Sequence, residues 1–319
     1  MRTGMQTERF ESHQVEQAAG ILRRGGLLAF ATETVYGLGA DACNGTAVAG
    51  VYAAKGRPSF NPLIIHLPDL AAAERFGVFS PLARKLAEAF WPGPLSLVVP
   101  VREGAGLSSL VTAGLDTVAI RVPAHEGARA LLAAFGGPVA APSANPSGGI
   151  SPTRMSHVLD GLEGKIDGVL EGGDCDVGLE STILYVGEEV ALLRAGGVTL
   201  EDIEAVLGQT VARPEDPDTP KSPGQLASHY APDAKVRINA TEHRADEVLI
   251  GFGNGAGADL NLSEAGDLAE AAANLFDMLR QADGLARQNG RSIAVAPVPL
   301  KGLGLAINDR LTRAAAERG

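Results

Sequence analysis

The residues best able to do chemistry stand at the end of a short apolar run, Leu27-Leu28-Ala29-Phe30, in the stretch Thr32-Glu33-Thr34-Val35-Tyr36-Gly37-Leu38-Gly39. Hydroxyls and a carboxylate at the end of a core strand lie where α/β proteins usually bind ligands. Gly37 and Gly39 let the backbone turn sharply or approach a ligand closely. The same residues also suit a strand-to-helix turn whose Thr and Glu cap the next helix. A second group is Lys55-Gly56-Arg57, followed closely by Asn61 and His66. A cation at a helix C-terminus is favourable through the helix dipole alone, so capping explains Lys55 as well as a ligand does. Arg57 lies in a stiff turn between Gly56 and Pro58. Together the pair suits a polyphosphate, one by forked hydrogen bonds and one as a point charge. Ser143-Ala144-Asn145, after Pro142, offers short polar side chains to phosphate oxygens or a ribose, or simply makes a turn. Arg121 falls in the strand-like run 117–122, facing opposite to Val118 and Ile120. A buried Arg needs an anion, and both Glu33 and a substrate carboxylate qualify.

The elements that must position these groups alternate along the first two-thirds of the chain. Val15, Ala18, Ala19 and Leu22 share one helical face. Further helices are expected over 47–54, from Ser80-Pro81 to about Phe90 with Ser80 as N-cap, over 127–135 and over 200–207. Strands are expected at 27–30, 63–67, 95–99, 117–122, 139–141, 169–170, 182–186 and 190–193. The first dozen residues, with Arg2, Glu8 and Arg9, read as a frayed start. From Gln209 to Asp233 five prolines sit among charges and Ser, which reads as a linker with no packed element. Beyond it, strands at 235–238, 247–252 and 292–296 and helices at 268–287 and 304–316 form a second α/β unit. The expected division is 12–208, 209–234 and 235–319. There are no internal repeats.

Composition narrows the function classes. A length of 319 residues suits two domains. The chain is rich in Ala and Gly and has one Trp, as expected of a soluble α/β protein. It has neither an apolar run long enough to span a membrane nor a signal-peptide pattern. Cys43 and Cys175 are too few for a disulfide framework or zinc site and read as reduced thiols in a cytoplasm. A net charge of −11 argues against stable nucleic-acid binding, which needs a basic face.

Several motifs in order resemble those of the YrdC-type L-threonylcarbamoyladenylate synthases. They are the Thr32–Gly39 stretch, Lys-x-Arg at 55–57, Asn61-Pro62-Leu63-Ile64-Ile65-His66, Trp91-Pro92-Gly93-Pro94-Leu95, Thr112-Ala113-Gly114-Leu115-Asp116-Thr117-Val118-Ala119, Ala141-Pro142-Ser143-Ala144-Asn145 and Gly178-Leu179-Glu180-Ser181-Thr182-Ile183. Ser222-Pro223-Gly224 and His229-Tyr230-Ala231-Pro232 resemble the long, two-domain form. The likeness covers residues 15–319. It implies an α/β fold: a YrdC-like twisted mixed sheet with flanking helices, plus a small C-terminal Rossmann-like α/β domain.

The resemblance also implies a reaction. L-threonine, bicarbonate and ATP give threonylcarbamoyl-AMP and pyrophosphate, the first step of threonylcarbamoyladenosine modification of tRNA. Threonine would be held by Thr34, His66, Arg121, Ala141 and Ser181, with Arg121 on its carboxylate. ATP would meet Lys55, Arg57, Asn61, Thr117, Ser143, Asn145, Ser151, Arg194 and Tyr230, with Lys55 and Arg57 as the catalytic pair. No covalent nucleophile is required. Mg²⁺ would ride on the phosphates, with no protein metal site, and the linker would cover the cleft as a lid. The tRNA threonylcarbamoyl-transferase complex would be a transient partner. Ala31 replaces a usual Pro, and Gln225-Leu226-Ala227-Ser228 lacks the usual Met, Lys and aromatic or basic residues. Two other readings are a carbamoyltransferase that uses carbamoyl phosphate and ATP, and a non-catalytic RNA-binding protein. The first normally carries zinc-finger-like and kinase-like domains for which this chain lacks room and cysteines. The charge argues against the second.

Overall fold

The computed structural model describes residues 6–58, 61–213, 229–255 and 257–316. The first half of the larger unit runs β1 (Glu8–Phe10), α1 (Val15–Arg23), β2 (Leu28–Phe30), β3 (Gly37–Asp41), α2 (Gly45–Lys55), β4 (Ile64–His66), α3 (Leu70–Ala73), α4 (Pro81–Phe90) and β5 (Leu95–Pro100). It continues with α5 (Ser109–Thr112), β6 (Thr117–Arg121), α6 (Glu126–Phe135), β7 (Val139–Ala140), α7 (Met155–Leu162), β8 (Gly168–Leu170), β9 (Thr182–Val186), β10 (Val190–Arg194) and α8 (Leu200–Leu207). The ten strands form one mixed sheet in the order β1-β8-β2-β3-β7-β4-β6-β5-β9-β10.

Local chemistry sets the elements that flank the site. The Asn44 side chain caps α2 by accepting from the amides of Thr46 and Ala47, and the helix stops at Gly56 in the left-handed region, φ 61°. Ser80 caps α4 on the Ala83 amide ahead of Pro81. In β6 the alternation holds: Val118 and Ile120 join a core cluster with Leu86 and Leu97, while Ala119 packs on the other face with Ile64, Val98 and Ile183. That places Arg121 on the Ala119 face.

The structure departs from the sequence reading in several places. Residues 8–10 are no frayed start: they pair parallel with β8, Phe10 opposite Leu170. A three-residue edge strand with one buried side chain has too little alternation to be seen. The stretch after Phe30 does not enter a helix. It folds back as β3, antiparallel to β2, with Phe30 opposite Gly37. A Cβ on Gly39 would stand 2.9 Å from both Phe30 and Val139, so the close return needs glycine. The helices α3, α5 and α7 were not foreseen.

The smaller unit holds β11 (Val236–Arg237), β12 (Glu247–Gly251), β13 (Leu260–Asn261), α9 (Leu268–Asn289), β14 (Ser292–Val295) and α10 (Gly304–Ala315). Its four strands are parallel, in the order β11-β14-β12-β13. The two units share an apolar cluster, in which Val35, Ile150 and Leu179 of the first pack with Leu275, Phe276 and Leu279 of α9. Residues 214–228, with the atypical 225–228 segment and most of the proposed lid, lie outside the described residues. The flanks of that stretch are packed, contrary to expectation. Val211 is buried and Ala212 bridges to Ala191, and His229, Tyr230, Ala231 and Pro232 are all buried. Among the described residues no helix is long and apolar enough to cross a membrane.

The tightest backbone approach between the units is at Gly178. Its φ is 68°, and a Cβ there would stand 2.4 Å from Ala273 Cα and 2.6 Å from the Ala272 carbonyl. Gly178→Ala is therefore expected to lower the unfolding free energy by about 2–4 kcal/mol, from overpacking together with left-handed strain. Urea denaturation measures this, and an unchanged midpoint would show that the units are not wedged together there.

Candidate active site

A cleft of about 590 Å³, open mouth included, is lined by residues drawn from between Thr32 and Tyr230. The β2–β3 loop supplies Thr32, Thr34 and Val35. Arg57 comes from the turn after α2, His66 from β4, Arg121 from β6, and Ala141, Pro142 and Ser143 from the segment after β7. Glu180 and Ser181 precede β9, Arg194 ends β10, and His229 and Tyr230 complete the lining from the far side of the linker.

Arg121 has its anion within the protein. Its Nη2 lies 2.7 Å from Glu33 Oε1, with the side chains 4% and 9% exposed. Nη1 donates to Thr34 Oγ1 at 2.7 Å and Nε to the Gly93 carbonyl at 3.2 Å. Burial alone would raise the Glu33 carboxyl, but the charge of Arg121, its hydrogen bond and the backbone hydrogen bonds at Ala124 and Glu33 together offset it and hold the group below its ordinary value. His66, beside this pair, is pushed down to about 3 by burial and then by Arg121, so its ring is neutral.

The other cations are treated differently. The Lys55 ammonium donates to the carbonyls of Ser143 and Asn145. Burial, then the charge of Arg57, pushes it well below its ordinary value. Arg57 donates from Nη2 to the Pro62 carbonyl at 3.1 Å and from Nε to Asn61 at 3.4 Å; burial lowers it to about 10. Arg194 donates to the Ser181 carbonyl from Nε at 3.1 Å and Nη2 at 2.9 Å. Among the described residues, no carboxylate forms an ion pair with Lys55 or Arg57. Neutral carbonyls orient Lys55 and Arg57 without cancelling their charge, which leaves a region made for an anion.

Nine of the residues expected from sequence line this cleft: Thr34, Arg57, His66, Arg121, Ala141, Ser143, Ser181, Arg194 and Tyr230. Lys55 and Asn145 sit behind the Ser143 wall, joined by the bond already described. Asn61 is buried beside Arg57 as one of its carbonyl acceptors. Thr117 lines a neighbouring small cavity with Pro62 and Leu115 rather than the cleft. Ser151 is fully buried and donates to Glu180 Oε1 at 2.6 Å. The Oδ1 atoms of Asn61 and Asn145 are buried with no hydrogen-bond partner among the described residues. Among those residues no cluster of three His, Cys, Asp or Glu could hold a metal ion.

Sequence reasoning gave no role to Glu180, His229 or Arg310. Tyr230 adopts φ 61°, stacks on Phe276 at 5.6 Å, and has the His229 ring edge-on at 4.1 Å. Only the motif likeness singled it out. Nothing in the sequence marks Arg310, which reads as one more polar residue on an amphipathic helix.

Comparison with known proteins bears on the same cleft. Residues 20–196 match the Sua5_yciO_yrdC family, described as "Telomere recombination". Residues 198–316 match the family described as "Threonylcarbamoyl-AMP synthase, C-terminal domain". A Pyrococcus abyssi protein named threonylcarbamoyl-AMP synthase is 41% identical over 98% of this chain and 96% of its own. One of the same name from Bacillus subtilis is 42% identical over 96% of this chain and 94% of its own. The fold superposes on P. abyssi Sua5 complexed with L-threonine with a TM-score of 0.86, 39% identity and 97% of each chain covered.

The Glu33–Arg121 pair generates a test. Arg121→Met strands a buried carboxylate and should cost about 3–5 kcal/mol near neutral pH. In the parent chain the Glu33 pKa is depressed, so the pair's stabilisation is present above the ordinary carboxylate range and lost as pH falls through the lowered pKa. In the variant, burial raises the Glu33 pKa instead. The gap between the two should therefore narrow by about pH 5, where the stranded group takes up a proton. Urea unfolding at both pH values gives the gap, and an equal gap would mean that the pair is not the source of the stability.

Proposed function

The chain belongs to the two-domain threonylcarbamoyl-AMP synthase family, and on that premise we propose how its cleft does the chemistry. The protein is an ATP-using enzyme of the nucleotidyltransferase type that makes threonylcarbamoyl-AMP from L-threonine, for modification of tRNA. Bicarbonate supplies the carbamoyl carbon. The threonine amine adds to it with loss of water to give a carbamate, whose oxygen attacks the α-phosphate of MgATP as pyrophosphate leaves. The Mg²⁺ enters on the nucleotide, held by its phosphates.

Threonine lies on the side of Thr34, His66, Arg121, Ala141 and Ser181. Its carboxylate joins Arg121 along the edge that the guanidinium presents to Thr34, while Glu33 fixes the orientation of that guanidinium from behind. The neutral His66 can sit against the substrate without adding charge. The triphosphate lies against Arg57, Arg194 and Ser143. Charge builds on the departing pyrophosphate, and preorganised cations in a water-poor cleft stabilise it without having to reorganise. Lys55 acts through the Ser143–Asn145 segment that its ammonium holds, and a bound polyphosphate favours its charged form. The buried Oδ1 atoms of Asn61 and Asn145 suit hydroxyl donors such as those of a ribose. Tyr230 closes the nucleotide side. The finished adenylate passes to a transferase complex that acts on tRNA. The two structural units serve as a catalytic domain that begins at β1 and runs past α8 to Ala212, and a C-terminal domain that begins at β11.

The observation that carries this reading is a pair of buried cations with no acidic partner among the described residues, Arg57 in the cleft with the neutralised Arg121 and Lys55 behind its Ser143 wall. Pyrophosphate release should require threonine, bicarbonate and ATP together. Arg57→Ala should weaken ATP binding by about 1.5–3 kcal/mol, the range for charged hydrogen bonds, as read by calorimetry. Arg121→Ala should abolish threonine-dependent release while ATP affinity stays near that of the parent chain. Unchanged ATP affinity in Arg57→Ala, or a normal threonine requirement in Arg121→Ala, would contradict the assignment.

A further inference from the structure

Arg310 belongs to α10 of the second unit, yet its side chain is 0% exposed and reaches Glu180 in the cleft wall of the first. Its Nε donates to Glu180 Oε2 at 2.8 Å and its Nη2 to the Ala195 carbonyl at 2.9 Å. The guanidinium lies over the Tyr230 ring, 5.2 Å from its centre. Nη1 is held by Asp309 at 2.5 Å, and Arg313 grips the other oxygen of Asp309 at 3.0 Å.

Glu180 occupies an awkward place. It lines the cleft that also carries Arg57 and Arg194, and its second oxygen holds Ser151. Burial would raise its carboxyl, but the charges of Arg310 and then Arg194, with the Ser151 hydrogen bond, hold it below the ordinary value. Glu180 is thus ionised inside the cleft. Without a counter-charge it would repel a triphosphate strongly, because the surrounding protein screens poorly.

We propose that Arg310 is a positioning residue for the nucleotide, a counter-ion delivered by the second domain that cancels the charge of Glu180. Glu180 can then order Ser151 and the cleft wall without opposing the phosphates. The same guanidinium ties together three walls that are distant in sequence, at Glu180, Ala195 and Tyr230. The second domain therefore acts in ATP affinity, although it supplies none of the cations assigned to the phosphates. The inference rests on placing the triphosphate at Arg57 and Arg194.

Steady-state kinetics on the full chain tests it. Arg310→Gln should raise the KM for ATP at least about tenfold, with kcat and the KM for threonine changing less than about threefold. Adding Glu180→Gln should bring the ATP KM back to within about threefold of the parent chain, because the stranded charge is then gone. A fall in kcat with the ATP KM unchanged, or no restoration by Glu180→Gln, would reduce Arg310 to a packing role and overturn the proposal. If Arg310→Gln does not fold, the double variant decides alone: an ATP KM within about threefold of the parent supports the proposal, and a rise of about tenfold or more overturns it. Arg57→Ala separates the two levels. An unchanged ATP KM there removes the phosphate site itself, whereas a raised value with Arg310→Gln unaffected removes only the role of Arg310.

Discussion

Burying a charge costs several kcal/mol per ion unless something repays it, and this chain buries Lys55, Arg57, Arg121, Arg194 and Arg310 in or beside one cleft. The repayment is uneven. Glu33 neutralises Arg121 and Glu180 neutralises Arg310. Lys55 and Arg57 are held mainly by backbone carbonyls. Carbonyls fix direction but leave the positive charge largely in place. A chain with a net charge of −11 thereby keeps a local surplus of the opposite sign, where a polyphosphate can supply the missing anion.

The fold serves that arrangement. Each carbonyl comes from a segment just outside a strand or helix: Pro62 before β4, Ser143 after β7, Ser181 before β9. Such segments are rigid because the sheet holds their ends, so the cations are aimed before any ligand arrives. The neutralised Arg121 sits on β6 itself. A guanidinium already paired with Glu33 has a fixed plane, and this suits a single carboxylate better than a chain of phosphates. The second domain completes the enclosure through Tyr230, Phe276 and Arg310, and the apolar cluster shared by the two units makes that enclosure part of the core.

Much of this was legible in the sequence because it follows short-range rules. Alternation placed Arg121 opposite Val118 and Ile120, and Ser80-Pro81 marked a helix start. The anion for Arg121 had two candidates, and sequence had no means of choosing between them, since Glu33 and Arg121 are brought together only by sheet pairing. The bond from Lys55 to the carbonyls of Ser143 and Asn145 spans some 88–90 residues, and backbone acceptors leave no mark in a sequence. Ser151 donates to Glu180, an acceptor 29 residues away in the chain that no local pattern singles out. Arg310 was invisible for a related reason: on a helix of mixed polarity an Arg reads as solvated, and only the docking of α10 against Glu180 makes it buried. The strands at 8–10 and 260–261 were too short to show a period.

The central claim is that the cations at Arg57 and Arg194 take the triphosphate while the Glu33-paired Arg121 takes the amino acid. A crystal structure of the full chain with a non-hydrolysable ATP analogue and L-threonine tests it most directly. The account predicts phosphate oxygens in hydrogen-bonding distance of Arg57 and Arg194, and the threonine carboxylate on Arg121 and Thr34 with Glu33 still paired behind it. Phosphates seated away from Arg57 and Arg194, or a threonine carboxylate that leaves Arg121 untouched, would contradict it.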